Sequence, residues 1–313
     1  MVMTSERCVG SPSLVNQNDK RLVAAWSGLR PGSNAQLTSR LNVMYSTDGV
    51  TWNDDTKYTF PHDNTRLPPA LAYDAATNTT YFAWTGADPS FSLNIVQSTA
   101  PTLNNWVNKH TLTEYSVCGP ALAFGSGLLF VAWTGYTDTR LYIASTKNGG
   151  KTWTTRPPPL EETTYSSPCL VYNNGELILA WQGTDNQLNF LTCTDLNTLA
   201  FPPSTKLTIP QTSFSQPGLT FDVDNRPWLS WRGLFNDQLN QIIPKNGAIS
   251  GFRNTPQSIF SDTSLNGPVL CRFKNQIYIA WSGKDPDSHL NVSLFLPGKI
   301  DDNLMSQRLQ SKL

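Results

Sequence analysis

The sequence predicts an all-β fold built from six similar units, and three observations predict it. A short motif recurs as AAWSG, FAWTG, VAWTG, LAWQG, LSWRG and IAWSG, centred on Trp26, Trp84, Trp133, Trp181, Trp231 and Trp281 with spacings of 58, 49, 48, 50 and 50 residues. A Pro followed two residues later by Leu stands 13 to 15 positions before every one of these Trp residues, from Pro12/Leu14 to Pro268/Leu270. The intervening segments are short runs rich in β-branched and aromatic residues, broken by Gly, Asn, Asp and Pro, with no helical apolar period. A unit of about 50 residues with about four strands describes a propeller blade, not a helical solenoid, whose units carry amphipathic helices. The expected architecture is a six-bladed β-propeller of four-stranded antiparallel blades, a single domain over residues 1–313 with 299–313 as a C-terminal tail.

Each strand of the unit has its own signature. On the first, Leu at Pro+2 and the residue at Pro+4 (Asn16, Tyr73, Phe124, Tyr172, Phe221 or Arg272) share a face, while small residues such as Ala121 and Ala123 occupy the other. Large against small suits a crowded ring around an axis. The second strand carries the repeated Trp, whose ring is expected to fill the wider gap between blades. Asp88, Asp138, Asp185, Asp237 and Asp285 follow it and read as turn residues. The third strand starts at a Leu-Asn or Leu-Tyr pair, with Leu at 41, 93, 141, 188, 239 and 290. The fourth precedes the next Pro, as "KHTLTEYSVCGP" precedes Pro120. "MVMTSERCVGSP" before Pro12 resembles it, so the N-terminal residues are expected to complete the last blade, closing the ring and removing its open edge. The stretch from Gly298 is the rival supplier of that strand.

Three glycine-turn segments recur in the units: "STDGVTW" (Ser46–Trp52), "TKNGGKTW" (Thr146–Trp153) and a decayed copy, "STAPTLNNW" (Ser98–Trp106). Locally, Asp or Asn bonds turn amides, Gly supplies positive φ, and Trp pins the turn to the blade. These motifs resemble the Asp-box of sialidases and related propellers, a resemblance that extends to the repeat pattern of the whole chain. It implies a sialidase-like six-bladed fold, with these BNR-type turns on the face away from the active site. It also implies what a sialidase would need: three arginines for the sugar carboxylate, a Tyr–Glu pair and an Asp acid/base. That set does not carry over. The Arg-Ile-Pro start is missing, Arg7 standing five residues before Pro12, and no Tyr, Glu and Asp fall at matching positions.

Composition narrows the partners. Twenty-three basic residues balance 23 acidic ones, so no net charge steers the chain toward nucleic acid. Three histidines, His62, His110 and His289, lie on separate units with no ligand spacing, and no phosphate or dinucleotide fingerprint appears, so neither metal nor cofactor is expected. The five cysteines include no C-x-x-C pair and read as buried reduced thiols. Residues 1–25 lack a secretory signal, and no apolar run approaches membrane-spanning length. A cytoplasmic location is expected, or a peroxisomal one in a eukaryote, because the chain ends Ser311-Lys312-Leu313.

The candidate site is where units differ. Loops entering the first strands and turns after the second strands share one face. There Arg66, Tyr115, Tyr165 and Phe214 precede the prolines, and Arg232 breaks a position otherwise held by Ser, Thr or Gln. Arg272 breaks the mostly aromatic Pro+4 position. A charge beside a packed axis needs a partner or a ligand; a salt bridge to a neighbouring blade is the plainer account, and an anion or sugar hydroxyl the functional one. With aromatic surface beside these cations, the leading expectation is a lectin-like, carbohydrate-binding propeller without hydrolytic activity, taking a glycan or small molecule. The alternative is an enzyme with one asymmetric axial pocket, a glycoside hydrolase or lyase or a cyclase of specialised metabolism, since scaffold residues repeat and decorations do not.

Overall fold

The alternation of small and large side chains on short strands produces six antiparallel sheets around an axis in the computed structural model, which describes residues 6–29, 39–100, 102–154 and 159–300. The blades' strands, from the axis outward, are Val9–Gln17, Arg21–Leu29, Ser39–Ser46 and Tyr58–Asn64 in the first, then Ala70–Asp74, Thr79–Thr85, Ser92–Ser98 and Val107–Tyr115. The third has Ala121–Gly125, Leu128–Thr134 and Leu141–Thr146, its outer edge supplied by a bridge from Arg140 to Thr163 and a Leu160 amide bond to Leu141. The fourth has Cys169–Asn173, Glu176–Gln182, Gln187–Cys193 and Leu207–Thr212. The fifth has Gly218–Phe221, Pro227–Arg232, Gln238–Ile242 and Ser258–Thr263, and the sixth Val269–Phe273, Gln276–Ser282, Leu290–Leu296 and Lys299–Ile300.

The ring closes, with the innermost strands of the first and last blades packed side by side. Closure is shared between both ends of the chain. Arg7 bridges His289, the Cys8 amide donates to Ser288 O at 2.9 Å and the Leu290 amide to Glu6 O at 2.9 Å, while Lys299 and Ile300 pair with Leu296 and Phe295 further down the same strand. The tail expected from residue 299 therefore begins as strand. Ser311–Leu313 lie outside the described residues.

Six apolar cores hold the ring, one per blade interface, and each contains one repeated Trp facing the preceding blade. All six rings are buried at 0–2 % exposure. On the third strand, the residue opposite each Trp is Asn42, Asn94, Tyr142, Asn189, Asn240 or Asn291. Each Asn donates Nδ2 to a backbone carbonyl two residues earlier at 2.9 Å, and Tyr142 instead stacks on Trp133 with centroids 5.4 Å apart.

A second repeat was not read from the sequence. Four residues before each Pro stands a buried Thr65, Ser116, Thr164, Ser213 or Ser264, and Cys8 before Pro12. Ser116, Ser213 and Ser264 donate to a carbonyl two residues on (2.6–2.9 Å) and to the end of the next blade's second strand (2.9–3.1 Å). The Cys8 thiol mimics the first of these bonds, to Gly10 O at 3.3 Å. These hydroxyls fix how each outer strand crosses to the next inner strand, and thus where the loops around the axis sit. None of the five thiols is paired, and burial pushes them up, Cys118 and Cys271 to about 12.

Candidate functional site: the axial mouth

The inner strands enclose a cavity of about 470 Å³ along the axis. Each blade lines it with its Pro, the Leu two residues on and the Pro+4 residue, so the walls are prolyl, aliphatic and aromatic, with Arg272 the one charged side chain among them. No Asp or Glu lines it among the described residues.

The face on which the inner strands begin, here the top, carries the decorations. Every exposed aromatic among the described residues lies there: Tyr115 (48 %), Tyr136 (47 %), Tyr165 (74 %), Phe214 (50 %) and Phe235 (91 %). Tyr136 stacks on Phe91 with centroids 5.5 Å apart. Arg66 is exposed on the same face, with no ion pair or hydrogen bond to its guanidinium among the described residues.

Arg232 is the structurally distinct member. In the first three blades its place is taken by Ser27, Thr85 and Thr134, each donating to a backbone carbonyl in the loop leading to the next blade. Arg232 is buried at 7 %, its guanidinium carbon 3.8 Å from the centre of the Phe214 ring. NH2 pairs with Asp237, whose other oxygen takes Lys284 from the next blade. Nε and Nη1 are buried, with no hydrogen-bond partner among the described residues. Burial pulls the Arg232 pKa below its ordinary value.

Asp237 stands in the turn, but its carboxylate is available because another side chain caps the turn amide. The turn amide, Gln238 N, is capped by Asn236 Oδ1 at 3.2 Å, as Asp138 caps Arg140 N and Asp185 caps Gln187 N. Asp237 takes the next position, at φ +57°, where the fourth blade has Asn186 at φ +66°. Counting back three residues from Leu239 lands on Asn236, as it lands on Asp138 from Leu141 and on Asp185 from Leu188; that register held the information.

The expected grouping is corrected at Arg272. It lies at the far end of the inner strand, exposed, with NH1 donating to Asp222 O at 3.2 Å. Four residues of strand separate it from Pro268, roughly 13 Å at about 3.3 Å per residue. Arg66, Tyr115, Tyr165, Phe214 and Arg232 share the top, and Arg272 belongs to the bottom ring with Asn16, Tyr73, Phe124, Tyr172 and Phe221.

This architecture is the sialidase-like six-bladed β-propeller, a fold used by glycoside hydrolases. Its solved neighbours include a protein of unknown function from Dyadobacter fermentans (TM-score 0.68, 15 % identity, 93 % of this chain and 98 % of that one). The Hadza microbial sialidase Hz136 superposes with TM-score 0.66 at 15 % identity, over 93 % of this chain and 66 % of its own. The GH93 α-L-arabinofuranosidase of Fusarium graminearum, solved with arabinobiose, gives 0.65 at 13 % identity, over 91 % and 92 %. No protein-family model and no curated protein matches the sequence. At these identities the likeness is one of fold.

Proposed function

We propose that the protein binds carbohydrate at the top axial mouth without hydrolysing it. The observation that carries this reading is the pairing of an aromatic fringe with carboxylate-free walls. Tyr115, Tyr165 and Phe214 present exposed rings on the top face, in the segments leading into three successive inner strands, the kind of flat apolar surface on which a sugar ring packs. Most glycoside hydrolases use a pair of carboxyl groups about 5 to 10 Å apart across the bond, and sialidases a Tyr nucleophile in place of one of them. The cavity walls offer no carboxyl group among the described residues; on the top face Asp237 already neutralises two cations, and Asp88, Asp138, Asp185 and Asp285 accept from amides of their own turns. The neighbours' names, two of which are glycosidases, agree with a carbohydrate ligand.

One observation favours the single-pocket enzyme instead: the Arg232–Asp237–Lys284 cluster joins the fifth and sixth blades and is an asymmetry of the kind an active site needs. A glycan array followed by product analysis separates the two. Saturable binding with the glycan recovered intact supports the binding protein; a cleaved or rearranged product supports the enzyme.

A further inference from the structure

Away from the axis, a second cleft of about 390 Å³ opens between the outer strand of the fourth blade and the top turn of the fifth. It shares no lining residue with the axial cavity. Trp231 borders it deep in the fold and Phe235, 91 % exposed, at the surface. Its polar lining is almost all carboxamide, from Gln211, Asn236, Asn240 and Gln257, with no charged side chain.

Two acceptors in this cleft are left over by the fold. Gln211 Oε1 is buried with no hydrogen-bond partner among the described residues, a state that costs free energy until something donates to it. Asn240 is the second. In the first, second and fourth blades the equivalent Asn accepts at Oδ1 from an outer-strand Thr directly opposite: Thr59 at 2.6 Å, Thr111 at 2.7 Å and Thr208 at 2.6 Å. Opposite Asn240 stands Ile259, which has no hydroxyl to give. The scaffold's usual Thr donor is thus missing at the blade where the cleft opens.

We propose that this inter-blade cleft is a separate binding site for a neutral saccharide, with Phe235 packing on the sugar ring and Gln211 and Asn240 accepting from its hydroxyls. The inference rests on the carbohydrate-binding reading but not on the axial mouth. Carboxamides both donate and accept, as sugar hydroxyls do, and an uncharged lining gives an anionic sugar no counter-charge. The cleft's volume falls in the range of small-molecule sites, about 300–1,000 Å³.

Saturation-transfer NMR on the full chain tests this, with galactose, mannose, glucose and N-acetylglucosamine as probes and N-acetylneuraminic acid as the charged comparison. A neutral probe is expected to bind, and Phe235→Ala and Gln211→Leu each to weaken it roughly tenfold or more while the melting temperature holds. Preference for N-acetylneuraminic acid over every neutral probe overturns the proposal. Neutral-probe binding that survives both cleft variants but is lost in Tyr165→Ala also overturns it, and leaves the axial reading standing. No binding by any probe counts against both.

Discussion

Arg232 holds a guanidinium with one carboxylate partner, Asp237, and two buried nitrogens that no described residue reaches. Lys284 remains on Asp237, so removing the arginine does not strand the carboxylate. Removing one partner of a buried pair costs stability because it strands the other charge, whereas removing buried charge without stranding a partner is often neutral or stabilising. Arg232→Met is therefore expected to melt at or above the wild-type temperature while glycan binding at the axial mouth falls. A melting temperature several degrees lower, with binding intact, assigns Arg232 to the scaffold. The cysteines give a second test at this scale. With Cys118 and Cys271 pushed up to about 12, and Cys169 and Cys193 to about 11, native protein at pH 8 is expected to resist iodoacetamide, all five thiols labelling together only on unfolding. Rapid native labelling of any one, read by mass spectrometry, contradicts the packing around it. At this scale the sequence exposed Arg232 as an exception but not its partner, because a turn residue displaced by one position keeps the same composition. It misplaced Arg272, because rank along the unit was read without the axial distance that strand rise imposes.

Turns and strands behave as the unit's repeated parts. In Ser46–Trp52, burial pushes the Asp48 carboxyl up, but bonds from the Thr51 amide and hydroxyl, the Val50 amide and the Ser46 hydroxyl outweigh it and bring the pKa down to about 2. A folded pKa below the unfolded one means stability fully present above about pH 4 and lost as pH falls toward 2. Asp48→Asn is expected to flatten that part of the stability-versus-pH curve measured by urea denaturation; an unchanged acid limb contradicts the assignment. The glycine turns were legible because Gly, Asp and Trp are local signals. A further turn, Cys193–Phe201, was not. It has the length of Ser98–Trp106 and likewise holds a buried Leu at positive φ, one position later in the turn (Leu199 at +50°, Leu103 at +52°), yet it ends in Phe instead of Trp. The packing of the strands is tested at Trp181, fully buried between the third and fourth blades. Trp181→Ala is expected to cost about 3–5 kcal/mol in chemical denaturation, and a loss under about 1 kcal/mol contradicts its place in the core.

The whole molecule depends on joining its ends. Blade number followed from counting Trp, and closure from the likeness of the N-terminal segment to an outer strand. The N-terminal segment and the stretch from Gly298 stood as rivals for that edge, and that Lys299–Ile300 share it was not legible, because two residues carry no periodicity. Removing residues 1–8 deletes the Arg7 bridge to His289 and exposes the edge at Leu290, so the truncated chain is expected to lose several degrees of melting temperature and to self-associate. A ring with dissimilar decorations on one face is the feature from which the functional reading grows, and sugar recognition at the axis is its central claim. The most direct test is a glycan-array titration of wild type against Tyr165→Ala, with the bound glycan recovered and weighed by mass spectrometry. The account predicts saturable binding, weakened by the substitution, with the glycan's mass unchanged. No bound glycan at high protein concentration, or a glycan returned cleaved, contradicts it.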